Sequence, residues 1–412
     1  MPFSLRLRLS AMMFLQYAIW GAWAPVLSEY LLGDPSQQAG LGFTGQQVGH
    51  IYALLPIACI ISPFIGGQIA DRWVPTQWFL AAAHLLAAGA LYMLAFQTAF
   101  PPFALWMLIY ALLYAPTLAL TNSLAFHHLR NAEKDFGGIR VFGTLGWIVA
   151  GLALAAWRHS SLPKFVDTSD CLLLAVGASV VMGLIALTLP HTPPSKSENP
   201  WAFLAAVKLL GNRQFLIFML ISFVVVTELQ FYYLLTAPFL VSTNITTQQS
   251  VSAVMTTAQW AEVLGLAVLL PLLLPRLGVR NCLAIGVIAW PIRYLIFALG
   301  KPALLVIASL AMHGLGYTFF FVVGQVYVNS VATSDIRASA QSLLTLITLG
   351  VGNFLGAEFT GWIKDHFTAT TGAAAGATNW TSVFLVPCAL TVTCAIAFLL
   401  FFRETKVAKV AA

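Results

Sequence analysis

Arg140, Thr144 and Trp147 fall at i, i+4 and i+7 of one run, Ile139-Arg-Val-Phe-Gly-Thr-Leu-Gly-Trp147. On a helix they share one face. That face carries a five-donor guanidinium fork, a hydroxyl and an indole plane. The run continues in apolar residues to about Trp157, so the arginine stands at the mouth of a lipid-compatible segment. An arginine inside a bilayer costs roughly 2.5–3.5 kcal/mol on insertion scales, so its presence needs a reason. Either it sits shallow and snorkels to the cytoplasmic headgroups, or it faces a polar cavity and holds a ligand.

Carboxylates inside apolar segments are as informative. The chain has 14 acidic residues, and only Glu228, Glu262 and Glu358 lie well inside such segments. Gln259 precedes Glu262 by one helical turn on the same face, and Gln230 and Tyr233 pair in the same way. Glu228 is two residues from Gln230 and points to a different side. A carboxylate with an amide neighbour, deep in a helix, is costly as structure and useful as a proton carrier. Glu262 is therefore the expected proton-coupling residue. Thr318, Phe321 and Gln325 share a helical face with Tyr317 beside it. Gln341, Thr345, Thr348 and Gly352 make a polar seam, and the first apolar segment adds Gln16, Trp20 and Trp23.

Each of these has a structural alternative. Thr and Gln seams glue membrane helices together. The tryptophans can pack or mark an interface, His84 and His313 can be satisfied within the bundle, and Arg293 can pair with a carboxylate or a headgroup. Hydrolase and nucleotide-binding signatures are missing: the chain has no GxSxG, HExxH or Walker loop. His127 and His128 lack metal-ligand spacing. The 5 cysteines stand in or beside apolar segments without a CxxC and read as small hydrophobes. No catalytic residue, cofactor or metal is expected.

The elements that must position these side chains are membrane helices. Hydrophobic residues make up 59% of the 412, and charged residues only 8%. Soluble domains carry about 25% charged residues. Twelve segments reach the length of about 20 apolar residues that a spanning helix needs, at 9–32, 47–70, 75–97, 102–126, 138–158, 169–189, 214–241, 250–274, 281–299, 303–330, 338–363 and 380–402. None alternates as a barrel strand would. The fold class is all-α and polytopic. The first segment is long and is followed by more of its kind, which is not the pattern of a cleavable signal.

With both termini inside, fourteen Lys and Arg fall in cytoplasmic connections and four in outer ones. The net charge of +6 is dispersed over these connections, which gives no footprint for nucleic acid. The most polar long connection runs through Pro193-Pro-Ser-Lys-Ser-Glu-Asn-Pro200 and splits six helices from six. The expected organisation is an N-terminal bundle at 1–189, a central cytoplasmic loop at 190–213, a C-terminal bundle at 214–402 and a cytoplasmic tail at 403–412. Trp201–Leu210 reads as a short amphipathic helix on the membrane surface. Asn244-Ile-Thr and Asn379-Trp-Thr match the glycosylation pattern, at the low weight of any three-residue match.

The halves echo each other. Gly67, Asp71 and Arg72 follow the second segment, and Arg276-Leu-Gly278-Val-Arg280 follows the eighth. These resemble the paired loop motifs of the major facilitator superfamily, although the first loop lacks the later G-R-K. Gly67 would admit close helix approach, and Asp71 with Arg72 would act as a conformational latch.

Phe14-Leu-Gln-Tyr-Ala-Ile-Trp-Gly-Ala-Trp23 resembles the opening helix of the bacterial nucleoside:proton symporters of that superfamily. Further matches are Tyr114-Ala-Pro-Thr-Leu-Ala-Leu-Thr-Asn122, Ile139–Gly146, Leu187-Thr-Leu-Pro-His191, Glu228-Leu-Gln230 and Ile336-Arg-Ala-Ser-Ala-Gln341. The resemblance implies a central pocket between two six-helix halves, lined by Arg140, Thr144, Gln230, Gln259 and Glu262 with Trp147 and Tyr317 as aromatic walls. Two positions depart from the pattern. Thr318 replaces an aspartate, removing a carboxylate for ribose or a proton. Tyr233 replaces an asparagine, narrowing the pocket. Both are carried as substrate-binding positions.

The resulting expectation is a monomeric inner-membrane carrier, surrounded by lipid, that imports nucleosides with protons by alternating access. A carrier or uniporter for another neutral solute, such as a sugar or nucleobase, is the nearest alternative. A membrane enzyme would need a polar cluster at one interface, and a channel a continuous pore.

Overall fold

The computed structural model describes residues 2–37, 40–62, 73–129, 132–160, 169–194, 203–333, 336–371 and 375–403. Gly67, Asp71 and Arg72 lie outside the described residues, as do 195–202 of the central connection. In lipid a backbone must pair its own polar groups, and a helix does so within one segment. The apolar runs accordingly fold as helices. They are α1 (Phe3–Trp23, extended by Leu27–Leu32), α2 (Gly45–Ser62), α3 (Thr76–Ala95), α4 (Phe100–His128), α5 (Ala132–His159) and α6 (Asp170–Ala186). After the central connection come α7 (Arg213–Ser242) and a long apolar run, Val251–Leu299. Gly278 interrupts that run at φ 76° and ψ 170°, a backbone conformation open to glycine, and divides it into α8 (251–277) and α9 (279–299). Then follow α10 (Ala303–Val331), α11 (337–366) and α12 (Trp380–Phe401).

The chain forms two compact units. One comprises 1–198 with 232–256 and 360–362; the other comprises 199–231, 257–359 and 363–412. In the first, α1 packs on α5 and α6, α3 on α4 and α6, and α2 on α4. Glycine makes the α1–α5 crossing close. A Cβ on Gly21 would lie 2.8 Å from Trp147 Cα, and one on Gly146 would strike the Phe14 carbonyl. Gln16 is wholly buried: its amide donates to Thr117 Oγ1 at 2.9 Å, and its carbonyl oxygen lies 3.0 Å from His84 Nε2. Trp23 Nε1 donates to Tyr110 Oη at 3.1 Å. Gln16, Trp23 and His84 are thus packing residues. At the C-terminal end of α5, Arg158 grips Asp170 with two bonds of 2.7 Å and donates to the Gln248 carbonyl at 2.9 Å. The Gln248 amide in turn reaches Glu29.

In the second unit α9 packs on α10 and α12, and α8 packs on α10. Gly352 and Gly356 of α11 lie under Val226 and Thr227 of α7, a glycine-lined crossing like that of α1 with α5. Arg280 donates to the Phe402 carbonyl at 3.0 Å and the Leu399 carbonyl at 3.2 Å, closing the end of α12. Gln341 donates to the Gln325 carbonyl and to Asn329 Oδ1, so the start of the α11 seam is interhelical glue. Phe203–Ala206 is a short helix that packs on the first turns of α11. Asn379 caps α12 by accepting from the Ser382 amide at 3.1 Å, and Asn244 ends α7 with φ 56°. Three helices of this unit contain a wide, π-helical turn: α8 at Gly265–Leu269, α10 at Tyr317–Val322 and α11 at Leu346–Gly352.

Candidate functional site

The α1–α5 crossing sets the first group of candidate residues. Close approach at Gly143 and Gly146 brings Tyr17 beneath Arg140, whose guanidinium carbon lies 4.1 Å from the ring centroid. That is cation–π range, and the stack orients the fork. Arg140 is half-buried, and Thr144, one turn on, is 8% exposed. Trp147 meets Trp20 edge to face at 5.6 Å and Tyr233 at 6.4 Å. Trp20, Trp147 and Tyr233 are all half-buried, so they form an aromatic wall with accessible surface. Such a wall suits a flat, amphipathic ring.

The second group sits where α8 crosses α10. Gly314 of α10 lies against the backbone of Ala261 and Glu262, and Gly265 of α8 lies against the Thr318 side chain. Two glycines in register let the helices touch, and Gln259 and Glu262, 6% and 8% exposed, lie on the turns of α8 that cross α10. Glu262 closely precedes the wide turn of α8, and Tyr317 opens that of α10. Wide turns of this kind recur at functional sites. Tyr317 is half-buried, stacked on His313 at 6.3 Å and tilted on Phe321 at 5.6 Å. Thr318 is wholly buried in the helix crossing, with its hydroxyl 2.6 Å from where a Cβ on Gly265 would stand. Its position fits helix packing better than ligand contact. Gln230 is 5% exposed and donates to Asn353 Oδ1 at 2.7 Å.

Sequence reasoning missed two partners and left open which carboxylate Arg293 meets. Tyr17 lies inside the Phe14–Trp23 motif, yet its place under Arg140 depends on a helix crossing. Asn353 directly follows the Gln341–Gly352 seam. Glu228 and Arg293 are each visible as intramembrane charges, but their pairing at 4.0 Å is a fact of packing. Among the described residues no His, Cys, Asp and Glu group could hold a metal ion.

The profile of the nucleoside H+ symporter family matches residues 3–407. The xanthosine permease of Escherichia coli (strain K12) is 34% identical over 93% of this chain and 92% of its own length. The nucleoside permease NupG of the same organism is 31% identical over 98% of this chain and 97% of its own. A crystal structure of the nucleoside transporter NupG superposes with a TM-score of 0.83 at 30% identity, covering 97% of this chain and 100% of that one. The fold is that of the major facilitator superfamily, with twelve helices among the described residues, and the protein is an integral membrane transporter rather than an enzyme. The chain belongs to the nucleoside H+ symporter family.

Proposed function

We propose that this protein imports nucleosides together with protons by alternating access, and that Arg140, Thr144, Trp147 and Tyr233 act with Gln230, Gln259, Glu262 and Tyr317 on the substrate. The observation that carries this reading is the family match over residues 3–407, on a chain with Arg140 and Thr144 at one glycine-lined helix crossing and Gln259 and Glu262 at another. A nucleoside is neutral, with a flat base and a hydroxylated ribose. The indoles of Trp20 and Trp147 offer stacking surface to the base. The Arg140 fork and the Gln230 and Gln259 amides can meet base carbonyls and ring nitrogens, and the Glu262 carboxylate can accept ribose hydroxyls. In this reading Glu262 takes up the co-transported proton where the substrate binds.

Thr318 has a packing role in this reading, and the carboxylate that the family pattern has there is not replaced in kind. The excess of Lys and Arg in connections on one side supports a cytoplasmic location for both termini, in the inner membrane. The protein acts as a monomer in contact with lipid. Counterflow exchange in proteoliposomes tests the substrate class. Preloaded unlabelled uridine or xanthosine drives entry of labelled uridine, whereas nucleobases and hexoses do not. Exchange driven equally well by a hexose, or none with any nucleoside, would overturn the proposal.

A further inference from the structure

Glu228 on α7 and Arg293 on α9 stand apart from the candidate site, and both are wholly buried. Arg293 Nη2 lies 4.0 Å from Glu228 Oε2, neither carboxylate oxygen makes a hydrogen bond of good geometry, and the Tyr294 hydroxyl is the side-chain donor beside it. A buried ion pair adds stability only when its geometry is good and the remaining lone pairs are satisfied. The long contact and the poorly satisfied carboxylate oxygens fall short of both, so the pair is a weak device for holding helices together. An ionisable group that persists inside a membrane under those terms is a functional candidate.

Arg293 is supported without the carboxylate. Its guanidinium carbon lies 4.8 Å from the Trp290 ring and 4.4 Å from the Tyr294 ring, and its Nη1 is 3.3 Å from His313 Nδ1. Aromatic faces stabilise a cation, so the cluster can hold Arg293 whether Glu228 is charged or neutral. Among the described residues, the ionisable groups around the carboxylate are Arg293 and Tyr294 on α9, His313 on α10 behind Arg293, and Cys394 on α12.

Two short connections lead from this pair to the candidate site. Glu228 precedes Gln230 by two residues on α7, and Tyr294 Oη donates to the Glu228 backbone carbonyl at 2.8 Å, pinning that turn to α9. On the other side His313, in contact with Arg293, stacks on Tyr317 one helical turn further along α10.

We infer that Glu228 is a second proton-binding station of the transport cycle, and that Arg293 is the positioning residue that passes its charge state to Gln230 and Tyr317. This rests on the proton-coupled reading above. The step is a proton transfer alone. A proton from the outer aqueous phase adds to a Glu228 oxygen, converting an ion pair into a neutral acid beside a cation, and the same proton leaves to the inner phase later in the cycle. Once Glu228 is neutral, the attraction that draws Nη2 toward Oε2 is gone. Arg293 then settles on Trp290, Tyr294 and His313, and the Tyr317 ring follows.

The test uses the purified full-length protein in proteoliposomes with labelled uridine. It compares wild type, Glu228→Gln and the double variant Glu228→Gln/Arg293→Gln. Accumulation is driven by an inward proton gradient, and counterflow is measured without one. Glu228→Gln, with Glu262 intact, is expected to lose accumulation by about tenfold or more, within the usual range for a lost coupling between sites, while counterflow persists. Full gradient-driven accumulation by Glu228→Gln overturns the inference. The single variant leaves Arg293 without its counter-charge and can fail to fold, so the double variant decides that case. Exchange without accumulation supports the inference. Recovered accumulation, or loss of both activities, makes the pair structural and overturns it. A wild type that exchanges neither uridine nor xanthosine would instead sink the nucleoside reading beneath it.

Discussion

The Arg140 guanidinium lies over Tyr17, 4.1 Å from its centroid, and that stack fixes where its five donors point. A lysine keeps the charge and loses both the plane and the paired donors. Arg140→Lys is therefore expected to lower uridine uptake at low concentration by about tenfold, equivalent to about 1.4 kcal/mol. The protein should still be present in the membrane at wild-type amounts. Uptake equal to wild type would make Arg140 a headgroup anchor instead. The shared face of Arg140, Thr144 and Trp147 was legible in the sequence, because helical spacing alone sets it. Tyr17, Asn353 and the Glu228–Arg293 pairing were not, because each partner comes from another helix and only packing brings it near. Thr318 shows the opposite limit. Its type and place suggested a ligand contact, and the close approach of Gly265 puts it in a helix crossing.

Among the elements, the proposed site draws on α7 and on two crossings, α1 with α5 and α8 with α10. Both depend on glycine where backbones meet. Gly146 faces the Phe14 carbonyl, whereas nothing lies within 4 Å of a Cβ on Gly177. Gly146→Val should force α1 and α5 apart at an overpacking cost of about 1–3 kcal/mol. Gly177→Val should be far milder. Thermal unfolding in detergent with uridine counterflow compares them, and equal effects of the two substitutions would contradict the role given to the crossing. The apolar lengths and the break near Gly278 were readable, since lipid demands long helices and the loop motif contains a glycine. The wide turns at Gly265, Tyr317 and Leu346 were not, because they arise from how neighbouring helices seat against one another.

The whole molecule is an apolar chain with few charges, and two of its fully buried ionisable residues, Glu228 and Arg293, lie together. Alternating access by rocking halves needs such groups only where a proton or a substrate changes the balance between states. The family match supplies the class of cargo, and in the proposed site Glu262 is the carboxylate at which a proton and a ribose would meet. In this protein a proton gradient drives the nucleoside uphill. The most direct measurement is labelled uridine uptake into proteoliposomes with and without an inward proton gradient, for wild type and Glu262→Gln side by side. Wild type should concentrate uridine only when the gradient is imposed and lose that ability with an uncoupler, and Glu262→Gln should exchange uridine without concentrating it. Uptake by wild type that merely equilibrates and ignores the gradient, or undiminished accumulation by Glu262→Gln, would contradict it.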